Sequence, residues 1–166
     1  MKKLFGKPEP PAKSAEGAAL ARIESWTRAQ AGWGWRVYRT RAGLRLLATH
    51  ALFEPDATVT DAVFEQLGAD PLYRRLCKAQ KCFRARLTPK PWRCGLRPPE
   101  VRWPWLDAKA EAKFQSWEKR YIEASQNNAT CALVKTLGNA QVHPAIAPLV
   151  TLHDGTTRVG AALPLA

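Results

Sequence analysis

The residues of this 166-residue chain best placed to do chemistry stand in RLTPKPWRCG, residues 86–95. Prolines there fix the backbone and hold Thr88, Lys90, Trp92 and Arg93 at close spacing. Two cations, a hydroxyl and an aromatic ring suit a phosphate and a stacked base. The same residue types have a structural use, because Trp92, Trp103 and Trp105 can pin a long Pro-rich loop onto the core through buried ring surface.

A second set lies at WRVYRT, residues 35–40. Arg36, Tyr38 and Thr40 alternate with Trp35, Val37 and Arg39, so each face of a strand would mix aromatic and basic groups, with Arg41 following in the turn. Sheet platforms that take single-stranded nucleic acid use that mixture. Tyr38 serves equally well as a core residue.

Charge gives both sets a common direction. Twenty-six Lys and Arg against fourteen Asp and Glu leave a formal net charge of +12, which attracts polyanions most strongly at low salt. Between Asp70 and Glu100 there is no acid, yet Arg74, Arg75, Lys78, Lys81, Arg84, Arg86, Lys90, Arg93 and Arg97 all lie there. A second acid-free window, Ser25 to Phe53, holds Arg28, Arg36, Arg39, Arg41 and Arg45. Arg outnumbers Lys in both, which favours planar, bidentate contact with phosphate. The candidate nucleic-acid or phosphate contacts are therefore Arg36, Arg39, Arg41, Arg74, Arg75, Lys78, Lys81, Lys90, Trp92 and Arg93. This reading requires the tracts to face solvent on one side; cations matched to distant acids would be an ordinary solvated surface.

The signals for catalysis are thinner. Glu54 and Asp56, with His50 nearby, form the closest carboxylate pair after the hairpin, but Glu54-Pro55-Asp56 has turn chemistry. No phosphate-cradling G-x-x-x-x-G-K-S/T, G-x-G-x-x-G, G-x-S-x-G or H-E-x-x-H motif is present. Cys77, Cys82, Cys94 and Cys131 contain no C-x-x-C pair, so the spacing implies neither a metal nor a cofactor. On a helix running to Arg84, Cys82 would fall in a basic arc between Arg75 and Lys78, where cations lower a thiol pKa.

The elements that must position these groups follow from periodicity and punctuation. Residues 1–13 read as a flexible, basic, Pro-rich tail. Ser14 caps a helix to about Gln30 with Ala19, Ile23 and Trp26 on one face, and Gly32 ends it. Strands at about 35–40 and 44–50 around Gly43 read as a β-hairpin. Thr58 with Asp61 resembles a capping box for a short helix to Gly68. Asp70-Pro71 starts a helix to about Arg84, packing Tyr73, Leu76, Cys77, Gln80 and Phe83 and showing Arg74, Arg75, Lys78 and Lys81. Residues 83–87 allow an extended segment, and 88–105 read as a rigid irregular loop with five prolines. Asp107 caps a long helix to about Ser125 with Ala110, Phe114, Trp117 and Tyr121 as its apolar stripe. Ala129–Leu137 reads as a strand ended by Gly138, followed by a helix or turn to about His153.

The expected fold is α+β: a small, mostly antiparallel sheet, the hairpin plus one or two further strands, with helices packed on one face as a two-layer sandwich. An extended segment, long helix and strand after the hairpin would add a right-handed crossover. Residues 14–154 are expected as one domain and 155–166 as a C-terminal tail. The longest uncharged stretch, Thr136 to His153, is broken by Asn139, Gln141, His143, Pro144 and Pro148. It lacks the ~20 mostly apolar residues of a membrane span. Met1, Lys2 and Lys3 lead into prolines instead of an apolar signal core, so the expected location is the cytoplasm.

WRVYRTRAG in the hairpin together with FRARLTPKPWRCG downstream resembles a group of short bacterial proteins of unknown function, over most of residues 33–154. That resemblance implies no activity. The Tyr-Arg-Thr-x-x-Gly hairpin is also similar to one in the palm domains of primase-polymerases. The carboxylate pair those enzymes need is missing from the matching strands, so no catalytic residues are carried over.

Three readings stand. A nucleic-acid-binding domain predicts affinity that falls steeply with salt. An enzyme on a nucleotide or phosphorylated substrate predicts a pocket joining Lys90 and Arg93 with His50, Glu54 or Asp56. A structural or protein-interaction domain predicts an exposed apolar patch beside the basic one.

Overall fold

A computed structural model describes residues 14–166. The basic tail expected at 1–13 lies outside the described residues. Helix α1 spans Ala15–Ala29, and the Ser14 hydroxyl caps it by accepting from the Gly17 N–H at 3.1 Å. Strands β1 (Gly34–Thr40) and β2 (Gly43–Ala48) form the hairpin, and helices α2 (Thr58–Leu67) and α3 (Pro71–Gln80) follow. After the Pro-rich loop, which holds one 3-10 turn at Pro91–Cys94, come α4 (Ala108–Ser125), β3 (Cys131–Gly138) and α5 (Ala147–Thr157).

The sheet has the order β2-β1-β3, antiparallel throughout, so this is a small α+β fold. Opposite β1, Val37 pairs with Lys135 but Tyr38 pairs with Leu133, leaving Val134 as a bulge in β3. The strand ends at Gly138, whose φ of +73° suits glycine and whose position would bring a Cβ within 2.0 Å of the Trp33 carbonyl oxygen.

One face of the sheet carries the core. Ile23 from α1, Trp35 and Val37 from β1 and Val63 from α2 are buried together, with Trp26, Trp33, Leu46 and Leu137 packed around them. Each such aliphatic side chain contributes about 1.5–3 kcal/mol relative to exposure. α5 adds side chains on the opposite face, where the His153 ring lies 4.6 Å from that of Tyr38. Both faces of β1 are therefore covered, and Trp35 and Tyr38 are buried. That overturns the open aromatic and basic platform expected of the hairpin.

Several local expectations change for identifiable reasons. α2 starts one residue earlier than a Thr58 cap requires: Ala57 is the N-cap, with no side-chain cap bond, and Asp61 is committed to Arg74. α3 stops at Gln80 because Lys81 adopts the left-handed conformation at φ 47°, so the turn carrying Cys82 is not helical. Residues 83–87 are irregular and pair with no strand, so the crossover expected from an extended segment there does not form. Beyond residue 154 the chain is built into the fold. Thr157 is fully buried in α5, Ala129 N–H donates to the Pro164 carbonyl and Ala166 N–H to the Ala129 carbonyl, each at 3.0 Å. Among the described residues no helix is long and apolar enough to cross a membrane.

Candidate anion-binding surface

Folding divides the basic residues of the hairpin between structural and solvent-facing roles. The Arg36 guanidinium binds the Asp154 carboxylate and donates from Nε to the Tyr38 hydroxyl at 2.7 Å. Tyr38 in turn donates to Asp154 Oδ1 at 2.8 Å, and the same oxygen lies 2.9 Å from His153 Nδ1. Burial alone would raise the Asp154 carboxyl. The bonds from His153 and Tyr38 and the charge of Arg36 outweigh it and hold the group below the usual carboxylate range. Burial also pushes Tyr38 up to about 12, so its hydroxyl stays a donor. Arg45 joins this cluster through His153 Nε2 and the Arg86 carbonyl, each at 2.9 Å. Arg39 grips Glu16 on α1 with two nitrogens. Arg36 and Arg39, both expected as phosphate contacts, are thus paired with acids, while Arg41 is exposed in the turn without an ion pair among the described residues.

α3 shows the same division. Arg74 leans back onto α2 and pairs with Asp61 at 3.0 Å and Glu65 at 3.5 Å, and Lys81 pairs with Asp56 at 3.2 Å. These two expected anion contacts are neutralised by acids that precede the tract in sequence. Arg75 and Lys78 remain exposed, with no ion pair among the described residues. Cys82 is not flanked by a helical basic arc; its sulfur accepts from Arg84 Nε at 3.4 Å.

The Pro-rich loop is held against α4. The Tyr121 hydroxyl donates to the Pro89 carbonyl at 2.6 Å, Trp117 Nε1 donates to the Arg97 carbonyl at 2.8 Å, and Trp105 packs 5.5 Å from Phe114. Of the three tryptophans read as loop anchors, only Trp105 is half-buried; Trp92 and Trp103 are 59% and 75% exposed. Lys90 Nζ sits 5.1 Å from the Trp92 ring centre, a cation-π pair on the outer surface. Arg93 is on the same turn and half-buried.

Between this loop and α4 runs an open groove of about 890 Å³, lined by Arg97 from the loop and by Lys109, Lys113 and Arg120 from the helix, with Glu100 as its one acid. At 3.6 residues per turn, Lys109, Lys113 and Arg120 share one face, while Glu111 and Glu118 fall on the other side of the helix. None of the four groove cations forms an ion pair among the described residues. Lys109 to Arg120 spans about 16 Å of helix axis, the length of roughly five phosphates at single-strand rise.

Arg97 belonged to the acid-free tract, but the α4 stripe escaped sequence reasoning. Asp107, Glu111, Glu118 and Glu123 make the segment look neutral when charge is averaged along the chain. The signal that exposes it is charge sorted by helical face. Lys90, Trp92 and Arg93 sit on the loop but outside the groove.

Two of the three groups weighed for catalysis are engaged elsewhere. His50 Nδ1 accepts from the Gly34 N–H at 3.1 Å while its ring packs against Trp33 and Phe53, and Asp56 faces Lys81. No family model, curated protein or solved structure matches this chain.

Proposed function

We propose that the chain binds nucleic acid through its phosphates, seated in the groove between the Pro-rich loop and α4. The observation that carries this reading is the line of Lys109, Lys113 and Arg120 along one helix face opposite Arg97, unpaired and fronted by a single acid. Exposed guanidinium and ammonium groups at that spacing suit contact along a phosphate backbone, which fixes position without reading sequence. Arg75, Lys78, Lys90 and Arg93 extend the attraction over the remaining surface, and the net charge of +12 adds a long-range pull at low salt.

Anisotropy of a labelled single-stranded oligonucleotide tests it. Four phosphate contacts give a salt slope of about −3, a loss of affinity of roughly fifty-fold between 50 and 200 mM salt. Replacing Lys113 and Arg120 by Gln halves the slope, so the same salt change then costs about sevenfold. A slope unchanged by the double substitution places the contact elsewhere, and salt-independent binding or none overturns the reading.

A further inference from the structure

Beside the hairpin, between β2, α2 and the start of α5, lies another cavity, of about 250 Å³. Its chemistry is the reverse of the groove's. No charged side chain among the described residues lines it, and its wall is largely aromatic. Two groups of rings build that wall. Trp33 stacks with Phe53 at 4.8 Å and 18° and with Trp35 at 5.2 Å and 19°. Phe64 meets Tyr73 and Phe83 edge-on, at 73° and 78°.

Native interiors hold few voids larger than a water molecule, because unfilled space forfeits dispersion contacts all round its lining. An apolar cavity of about 150 Å³ stays dry and takes up benzene. This one is larger and open to solvent. Leu52, Phe83 and Leu149 stand around it 62%, 45% and 54% exposed, an apolar rim on an otherwise strongly basic molecule. Rings gain most from offset stacks and edge contacts with a further ring, and a buried charge here would find no partner to offset its lost hydration. The hydroxyls on the wall are engaged, Thr60 donating to the Glu54 carbonyl at 2.8 Å and Tyr73 accepting from the Arg84 N–H at 3.4 Å, while the buried indole N–H of Trp35 has no partner among the described residues.

We infer that this cavity is a binding site for an uncharged, flat aromatic small molecule of about two fused rings. The site is independent of the polyanion groove, and its ligand is recognised by shape and apolar contact instead of charge.

Indole serves as the probe, with saturation-transfer NMR and calorimetry on the full chain. Saturable binding is expected, with an affinity that changes less than twofold between 50 and 200 mM salt, a range over which any polyanion contact weakens steeply. Ala51→Phe places a ring in the cavity and should weaken indole at least tenfold. Leu149→Gln, at an exposed rim position, should weaken it by severalfold with the circular dichroism spectrum unchanged. Indole bound equally well by both variants, or no saturation up to its solubility limit, overturns the proposal. Preference for 1-octanol over indole overturns the aromatic class. Loss of oligonucleotide binding in the groove variant, with indole binding intact, separates the two readings.

Discussion

At Asp154 a single carboxylate ties α5 to the sheet, accepting from Tyr38, holding Arg36 and flanking His153. A carboxyl whose folded pKa lies below its unfolded value carries fewer protons folded than unfolded. The stability it contributes is therefore complete above about pH 4 and is lost as the pH falls through the folded value. Glu16 and Glu24, drawn down by hydrogen bonds from Arg39 and Lys135, act in the same direction. Asp154→Asn keeps the shape and removes the charge. Urea unfolding should find it about 2 kcal/mol less stable at pH 7, since Arg36 loses a charged partner in a half-buried place. The deficit should shrink as the pH is lowered below 4, where the native carboxylate is itself being protonated. A deficit that stays constant down to pH 2 would mean that the ionised form is not what holds α5.

The elements were legible where local chemistry alone decides them. Asp107 accepts from the Ala110 N–H at 2.7 Å, Ser14 from Gly17, and Asp70 from Leu72 and Tyr73, each an N-cap readable from the residue type before an apolar stripe. Asp107→Ala should accordingly cost about 1 kcal/mol and lower the thermal midpoint by about 2–4 °C. Calorimetry showing no shift would remove the cap from the account of how α4 is set against its loop. Other features depended on distant residues. The stop of α3 at Lys81 carries no glycine to announce it, and Lys81 meets Asp56 from the turn before α2. α5 runs on to Thr157 because Thr130 N–H donates to the Thr157 carbonyl and Tyr38 and Arg36 anchor Asp154. The candidate site was legible in kind but not in place. An excess of cations is plain in the composition, yet Arg36, Arg39, Arg74 and Lys81 are consumed by acids far along the chain. The α4 stripe is hidden by Glu111 and Glu118 on the back of the same helix and by Asp107 and Glu123 at its two ends.

Among the described residues the ion pairs tie secondary-structure elements together, and most of the remaining cations are exposed. Arg36, Arg39 and Lys135 bind the sheet to α5 and α1, and Arg74 binds α3 to α2. The more exposed pairs, such as those of Arg39 and Lys81, contribute little each, about 0–1 kcal/mol, and salt screens them. Salt also screens the mutual repulsion that a net +12 imposes on the compact state. With more cations unpaired than paired among the described residues, relief of repulsion is the larger effect, so the thermal midpoint should rise with added NaCl. A bound polyanion reverses the sign. It stabilises the folded chain by RT ln(1 + [L]/Kd), about 2.7 kcal/mol at a hundredfold excess over Kd. Its Kd worsens with salt, so with saturating oligonucleotide the midpoint should start high and fall with the same NaCl series. Scanning calorimetry with and without oligonucleotide gives two curves that converge at high salt if the free cations act as one field on a folded partner. Parallel curves would show that whatever binds is held by something other than charge.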